Sequence, residues 1–256
     1  MRSATQQIAN RHSENGCRVP CDPWVGAGSQ QVNVKKEPKE RIMLTVHHLN
    51  NSRSFRVVWL CEELGLDYKL VNYTRDPQTQ RAPDSLSKIH PLGKAPVIEH
   101  DGQVIAETDA IIEYICHKLG GGRLSHGPAS REYGAYLQWL AFPEGTLMPG
   151  LLFDLIYAWT GGGNEMMKGF FEAEIVKNHQ HVEDTLASHD HILQSGFSAA
   201  DINLTWTLEM SEARGRLKSL PRAQAYVSRM RERPGYKQTI TRGGPQDLSV
   251  FSAGAA

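Results

Sequence analysis

Hydrophobic and polar positions follow a definite order from residue 42 onward. Ile42–His48 is a short run centred on Leu44 and Val46 that reads as a buried strand. Val57, Leu60, Cys61 and Leu64 then fall at i, i+3, i+4 and i+7, the stripe of an amphipathic helix. Gly65 stops that helix at its C′ position. Tyr68–Tyr73 alternates as a second strand, and the βαβ order makes the two strands parallel with a right-handed crossover. Pro83 opens a short helical piece, followed by the irregular His90-Pro91-Leu92-Gly93. Val97-Ile98-Glu99 and Val104-Ile105 flank Asp101-Gly102, a dipeptide that supplies the positive φ of a tight hairpin turn. Ile111, Ile112, Ile115 and Leu119 mark a closing helix, ended by Gly120-Gly121-Gly122.

From about Ser125 the pattern is helical. Tyr133, Tyr136, Leu137 and Leu140 form one stripe, and Val176 with the preceding aromatics begins another. Gly161-Gly162-Gly163 separates long helices. Phe197-Ser198-Ala199-Ala200-Asp201-Ile202 is a helix start, with Ser198 as cap, Asp201 returning a bond as an acidic capping box, and Phe197 stapling to Ile202. Pro221 opens another helix, and Arg233-Pro234-Gly235-Tyr236 breaks before a short terminal piece. The pattern therefore divides into residues 42–122, mixed α/β, and residues 127–242, all helical. Residues 243–256 read as a loosely held tail. Residues 1–41, dominated by Gln, Asn, Ser, Gly and charges, read as a disordered or weakly ordered extension. Met43 stands directly before the patterned region and is a candidate true start.

Composition narrows the partners. Lys plus Arg and Asp plus Glu both number 28, so no net field attracts nucleic acid or an anionic membrane. Lys35, Lys36, Lys39 and Arg41 are interleaved with Glu37 and Glu40. No stretch approaches the ~20 apolar residues of a membrane span, and the first forty residues lack the apolar core of a signal peptide. Arg2, Arg11 and Arg18 give only a faint organelle-transit flavour. Of the four cysteines, Cys17 and Cys21 have no partner pair at metal-ligand spacing, and Cys61 and Cys116 sit on apolar helix faces. A reduced, cytoplasmic setting is expected.

The candidate chemistry lies between the patterned segments. The loop Leu49-Asn50-Asn51-Ser52-Arg53 joins the first strand to its helix, Gly93-Lys94-Ala95-Pro96-Val97 opens the third strand, and Ala106-Glu107-Thr108-Asp109 starts the closing helix. Ser52 is suited to cap the helix. The cap is the reading that local sequence favours for it, although backbone N–H groups and the helix dipole at such a terminus would also favour a bound anion such as a thiolate. Lowering a thiol from near ~8.5 by two units takes about 2.7 kcal/mol, within reach of a charge-assisted hydroxyl bond plus a helix terminus. The loop contains no cysteine, which excludes Cys-x-x-Cys redox chemistry.

In order and spacing these segments resemble the glutathione-binding domain of cytosolic glutathione transferases, and the likeness extends over about residues 42–245. It is closest to the bacterial and fungal serine-type enzymes with the opening His-His-Leu-Asn-Asn-Ser-Arg-Ser. The resemblance implies an α/β thioredoxin-like N-terminal domain followed by an all-α helical-bundle C-terminal domain. It implies Ser52, four residues before Arg56, as the thiolate stabiliser, with Asn51 as a rival and Arg53 as an electrostatic contributor. Ala95, before an expected cis Pro96, would hold the cysteinyl part of glutathione through its backbone. Glu107 and Thr108 would receive the γ-glutamyl amine and carboxylate, and Lys94 and Arg81 the glycyl carboxylate. A second-substrate pocket would draw on Tyr133, Phe142, Glu144 and Met148, with Leu151, Asp154 and Tyr157 nearby. The implied activity is conjugation of glutathione, as co-substrate, to small apolar electrophiles by a homodimer, with no metal or organic cofactor. The alternatives are a glutathione-dependent peroxidase, dehalogenase or etherase, or a non-catalytic binding protein on the same scaffold.

Overall fold

Strand β1 (Leu44–Leu49) lies at the centre of a four-stranded sheet in the computed structural model, which describes residues 43–252. Strand β2 (Tyr68–Tyr73) pairs parallel with β1, from Leu44 against Tyr68 to Leu49 against Tyr73. On its other side β1 pairs antiparallel with β3 (Val97–His100), which pairs antiparallel with β4 (Gln103–Ala106). The sheet order is β2-β1-β3-β4. Central placement buries both faces of β1 from Val46 to Leu49, so it carries His47 and His48 as buried side chains. The strand runs one residue past His48, because Leu49 still has Tyr73 as partner. Asp101 and Gly102 take φ of 53° and 70°, the expected hairpin turn.

Helix α1 (Ser54–Leu64) is the crossover between β1 and β2. Gly65 ends it at φ 61°, its N–H bonding the Glu62 carbonyl at 3.2 Å while Leu66 N–H bonds Cys61 at 3.0 Å. Helix α2 (Asp84–Ser87) follows Pro83, and α3 (Thr108–Tyr114) continues as one wide π-type turn through Ile115–Leu119. This is the thioredoxin-like arrangement. Its core unites Val46, Phe55, Trp59, Ile98, Ile111, Ile112 and Ile115, all fully buried.

The helical region begins with α4 (Tyr133–Phe142), which runs through a wide turn at Pro143–Leu147 directly into α5 (Met148–Trp159). Pro143 lacks the N–H of a regular turn, and a π-type turn closing from Met148 to the Pro143 carbonyl takes up the fault. Helix α6 (Glu165–Thr185) is capped by Asn164, whose side chain accepts from the Met166 and Met167 N–H groups at 2.9 and 3.1 Å. Helix α7 (Ala199–Ala213) is buried from Ala199 to Ser211 and forms the axis of the bundle, with α8 (Pro221–Arg231) and α9 (Pro234–Gly243) packed beside it. The Asp201 carboxylate returns the expected bond to Ser198 N–H at 2.8 Å. It also holds Ile192 N–H and the Tyr226 hydroxyl, both at 2.9 Å. Phe55 and Trp59 of α1 meet Tyr236 of α9, each with ring centroids 5.1 Å apart, and so tie the α/β and helical regions together.

Two expectations require correction. Val176 and Phe170 face outward, 58% and 64% exposed; α6 instead buries Ile175, His179 and Val182, the i, i+4, i+7 stripe one position round the helix. Residues 243–252 are not loose. Asp247 N–H bonds Asn51 Oδ1 at 2.9 Å, Trp206 Nε1 donates to Gln246 at 2.6 Å, and Arg214 Nη1 donates to the Phe251 carbonyl at 3.1 Å. The expectations for residues 1–41, Cys17, Cys21 and Ile42 lie outside the described residues, as do those for 253–256.

Candidate active site

The chain turns sharply between β1 and α1, with Asn51 in the left-handed region at φ 49°, a conformation Asn tolerates. That turn sets Ser52 on the wall of a cavity of about 710 Å³ shared with segment 75–95, α5, α7 and Phe251. Ser52 is 3% exposed. Its hydroxyl donates to the Leu49 carbonyl at 2.8 Å and lies 2.7 Å from Ser54 Oγ, and its oxygen accepts Ser54 N–H at 3.2 Å. The N-cap of α1 is Arg53, without a side-chain cap bond, so Ser52, expected as the cap, stands one residue ahead of it while lining the cavity. Asn51 lines the same cavity, but its side-chain oxygen is bound to Asp247 and its carbonyl to Arg75 Nη2 at 3.2 Å.

A smaller cavity of about 250 Å³ adjoins the first, sharing Arg53, Lys94 and Ala95 with it. Pro96, Glu107, Thr108 and Glu144 complete its wall. The Ala95–Pro96 bond is cis. Glu107 takes φ 70° immediately before α3, and Thr108, buried, is the first residue of that helix. Arg81 and Lys94 line the larger cavity together with Arg75 and Asp84.

Glu144 sits in an ionic cluster rather than in a substrate pocket proper. Arg53 Nε lies 3.0 and 2.8 Å from its two carboxylate oxygens, and Arg56 Nη1 bonds one of them. Burial alone would raise the Glu144 carboxyl, but Arg56 and Arg53 outweigh it and hold it below the usual carboxylate range. Arg56 itself is fully buried, with Nη2 2.5 Å from Thr207 Oγ1 and its guanidinium 4.8 Å from the Trp206 ring centroid. Cys61 and Cys116 are buried free thiols, and burial pushes Cys116 up to about 12, so neither is a nucleophile. Among the described residues no group of His, Cys, Asp and Glu could hold a metal ion, and no helix is long and apolar enough to cross a membrane.

Residues 43–117 match the family model described as the glutathione S-transferase N-terminal domain. Glutathione S-transferase 3 of Schizosaccharomyces pombe is 28% identical over 227 residues, spanning 82% of this chain and 92% of its own length. A solved glutathione S-transferase from Actinobacillus pleuropneumoniae shares 28% identity with a TM-score of 0.73, over 82% of this chain and 100% of that one. Residues 43–117 therefore carry a glutathione S-transferase N-terminal domain. Elongation factor 1-gamma 3 of rice is also similar, 24% identical over 74% of this chain but 46% of its own length.

Beyond the glutathione S-transferase N-terminal domain, the helical region supplies an apolar wall to the larger cavity. Met148, Leu152, Leu155, Ile156 and Trp159 of α5 face Trp206, Met210 and Phe251. Of the expected second-substrate residues, Met148 is there and Glu144 lines the smaller cavity. Tyr133 and Phe142 line neither. Tyr133 is the first residue of α4, and Phe142 packs on Trp139 and His181, with ring centroids 5.0 and 5.6 Å away. Leu151 is buried in the core while its neighbour Leu152 faces the cavity. Asp154 is held by Arg214 and Arg216, and Tyr157 bonds Glu165. The stripe Leu152, Leu155, Ile156, Trp159 has helical spacing that the sequence displays, but core and cavity stripes look alike. Arg75, Trp206, Met210 and Phe251 carry no local signal, since distant contacts alone bring them to the site.

Proposed function

We propose that this chain is a serine-type glutathione transferase acting on small apolar electrophiles. Ser52 carries the reading: its hydroxyl lines the larger cavity beside the pocket walled by Ala95, Glu107 and Thr108. With glutathione bound, the γ-glutamyl ammonium meets Glu107 and its carboxylate meets Thr108. The Ala95 backbone holds the cysteinyl unit, and Lys94 and Arg81 meet the glycyl carboxylate. The Ser52 hydroxyl turns from Leu49 and Ser54 to donate to the sulfur, at the start of α1, where N–H groups favour an anion. The thiolate then attacks an electrophile lodged against Met148, Leu152, Trp206 and Phe251. A carbon–sulfur bond forms as a leaving group departs with its electron pair, or as an activated double bond takes up a proton.

A homodimer in the cytoplasm is part of the same proposal. The decisive experiment is retention on glutathione-agarose, followed by thiolate absorbance of bound glutathione near neutral pH in wild type and Ser52→Ala. Retention with a thiolate signal that falls in Ser52→Ala supports the reading. No retention sinks it, and an unchanged signal in the variant moves the catalytic role to Asn51. A chain that retains glutathione but conjugates no electrophile would instead be the non-catalytic binding form.

A further inference from the structure

Arg75, two residues past the end of β2, holds the turn that carries Ser52. The β1–β2 pairing runs on into this turn, with Asn50 N–H bonded to the Tyr73 carbonyl at 3.2 Å. Arg75 N–H then donates to Asn50 Oδ1 at 2.8 Å. The Arg75 guanidinium reaches back to the same two residues: Nε donates to the Asn50 carbonyl and Nη2 to the Asn51 carbonyl, both at 3.2 Å. Its remaining edge donates through Nη1 to the Gln80 carbonyl at 2.7 Å. A backbone or guanidinium N–H can only donate, so the direction of all four bonds is fixed.

The clamp acts where the backbone is least able to hold itself. Asn51 takes φ 49°, a conformation that Asn tolerates without preferring it. The Asn51 carbonyl belongs to the planar peptide unit that ends in Ser52 N, so Arg75 Nη2 holds the plane from which the Ser52 side chain departs toward the cavity. Three carbonyls at set positions suit the rigid, planar fork of a guanidinium. A lysine ammonium is a compact charge on a flexible stem and cannot meet all three at once. Since the acceptors are neutral backbone oxygens, it is the shape of the fork rather than its charge that this site uses.

We propose that Arg75 is a positioning residue for the thiolate chemistry: by holding the Asn50 and Asn51 carbonyls it fixes the place of the Ser52 hydroxyl relative to a bound glutathione sulfur. The inference rests on the serine-type reading of Ser52. The competing account is a direct field of the Arg75 charge on the sulfur, because the side chain also lines the cavity. The two differ in what lysine does at this position, and in what Arg75 contributes once the Ser52 hydroxyl is gone.

The test is a pH titration of the thiolate absorbance of bound glutathione, with kcat measured alongside. The variants are Ser52→Ala, Arg75→Ala, Arg75→Lys and the double variant Ser52→Ala with Arg75→Ala. We expect Arg75→Ala and Arg75→Lys both to stay on glutathione-agarose. Each should raise the apparent pKa of the bound thiol by about 0.5–1 unit, the range of one weakened hydrogen bond, and kcat near neutral pH should fall with it. In the Ser52→Ala background, Arg75→Ala should add no further shift, since both changes remove the same interaction. A wild-type thiol pKa in Arg75→Ala, with a raised one in Ser52→Ala, overturns the positioning role. So does a wild-type value in Arg75→Lys, which would show that charge suffices, or an Arg75→Ala shift that persists without Ser52. Loss of retention in Arg75→Ala would make Arg75 a glutathione-binding residue and equally overturn it. An unchanged thiol pKa in Ser52→Ala means that the serine reading itself has failed, and the role of Arg75 falls with it. Should Arg75→Ala not fold, Arg75→Lys carries the test: a raised value supports the role and a wild-type value ends it.

Discussion

Arg53 and Glu144, 91 residues apart in the chain, meet with the arginine Nε 2.8 and 3.0 Å from the two carboxylate oxygens. The contact joins the β1–α1 turn to the wide turn after Pro143, and both residues face the small cavity that holds Glu107 and Thr108. Behind it Arg56 is wholly buried, with Glu144 as its carboxylate partner. Fold and site therefore share one ionic cluster.

Removing the carboxylate leaves a buried guanidinium without its counter-charge. Glu144→Ala is expected to lose about 3 kcal/mol, at the lower end for a broken buried pair because the Glu144 side chain keeps 25% exposure. Urea denaturation checks this. Glutathione KM should rise in the same variant, since Arg53 loses the partner that holds it at the cavity wall.

Asp201 binds two backbone N–H groups and the Tyr226 hydroxyl while fully buried. Asp201→Ala orphans all of these donors, and a loss of about 3 kcal/mol or more is expected. The variant's thermal midpoint should drop sharply. A change within 1 °C would show that the hub carries no net stability.

His48 sets a pH dependence whose sign follows from its lowered value. The unfolded chain takes up a proton near 6.5, whereas the folded chain does so at about 4. Between those values the unfolded state binds more protons, so stability falls as pH drops through that window. The full contribution is about 3 kcal/mol at pH 4. The stability difference between wild type and His48→Asn, followed by denaturation from pH 7 to pH 4, should change by that order.

Phe251 lines the apolar part of the cavity from the chain's last described segment. Phe251→Ala is expected to raise KM for an apolar electrophile about fivefold, from the loss of roughly 1 kcal/mol of apolar contact. KM for glutathione should stay the same. Steady-state kinetics with each substrate varied in turn separates the two.

Most of the elements, and the polar residues that border the candidate site, are legible in local sequence. The hairpin at Asp101-Gly102, the stop at Gly65 and the box at Ser198–Asp201 depend on a few adjacent residues, and local chemistry is enough to specify them. Ser52, Ala95, Glu107 and Thr108 stand at element boundaries for the same reason. What those residues face depends on packing between distant segments. Leu151 and Leu152 are equally apolar, but helix rotation against α7 sends one to the core and the other to the cavity. The paired roles of Arg53 and Glu144, the inward face of α6 and the pinning of residues 243–252 onto Asn51 likewise come from contacts remote in the chain. Periodicity records that a face is apolar, and only packing decides what covers it.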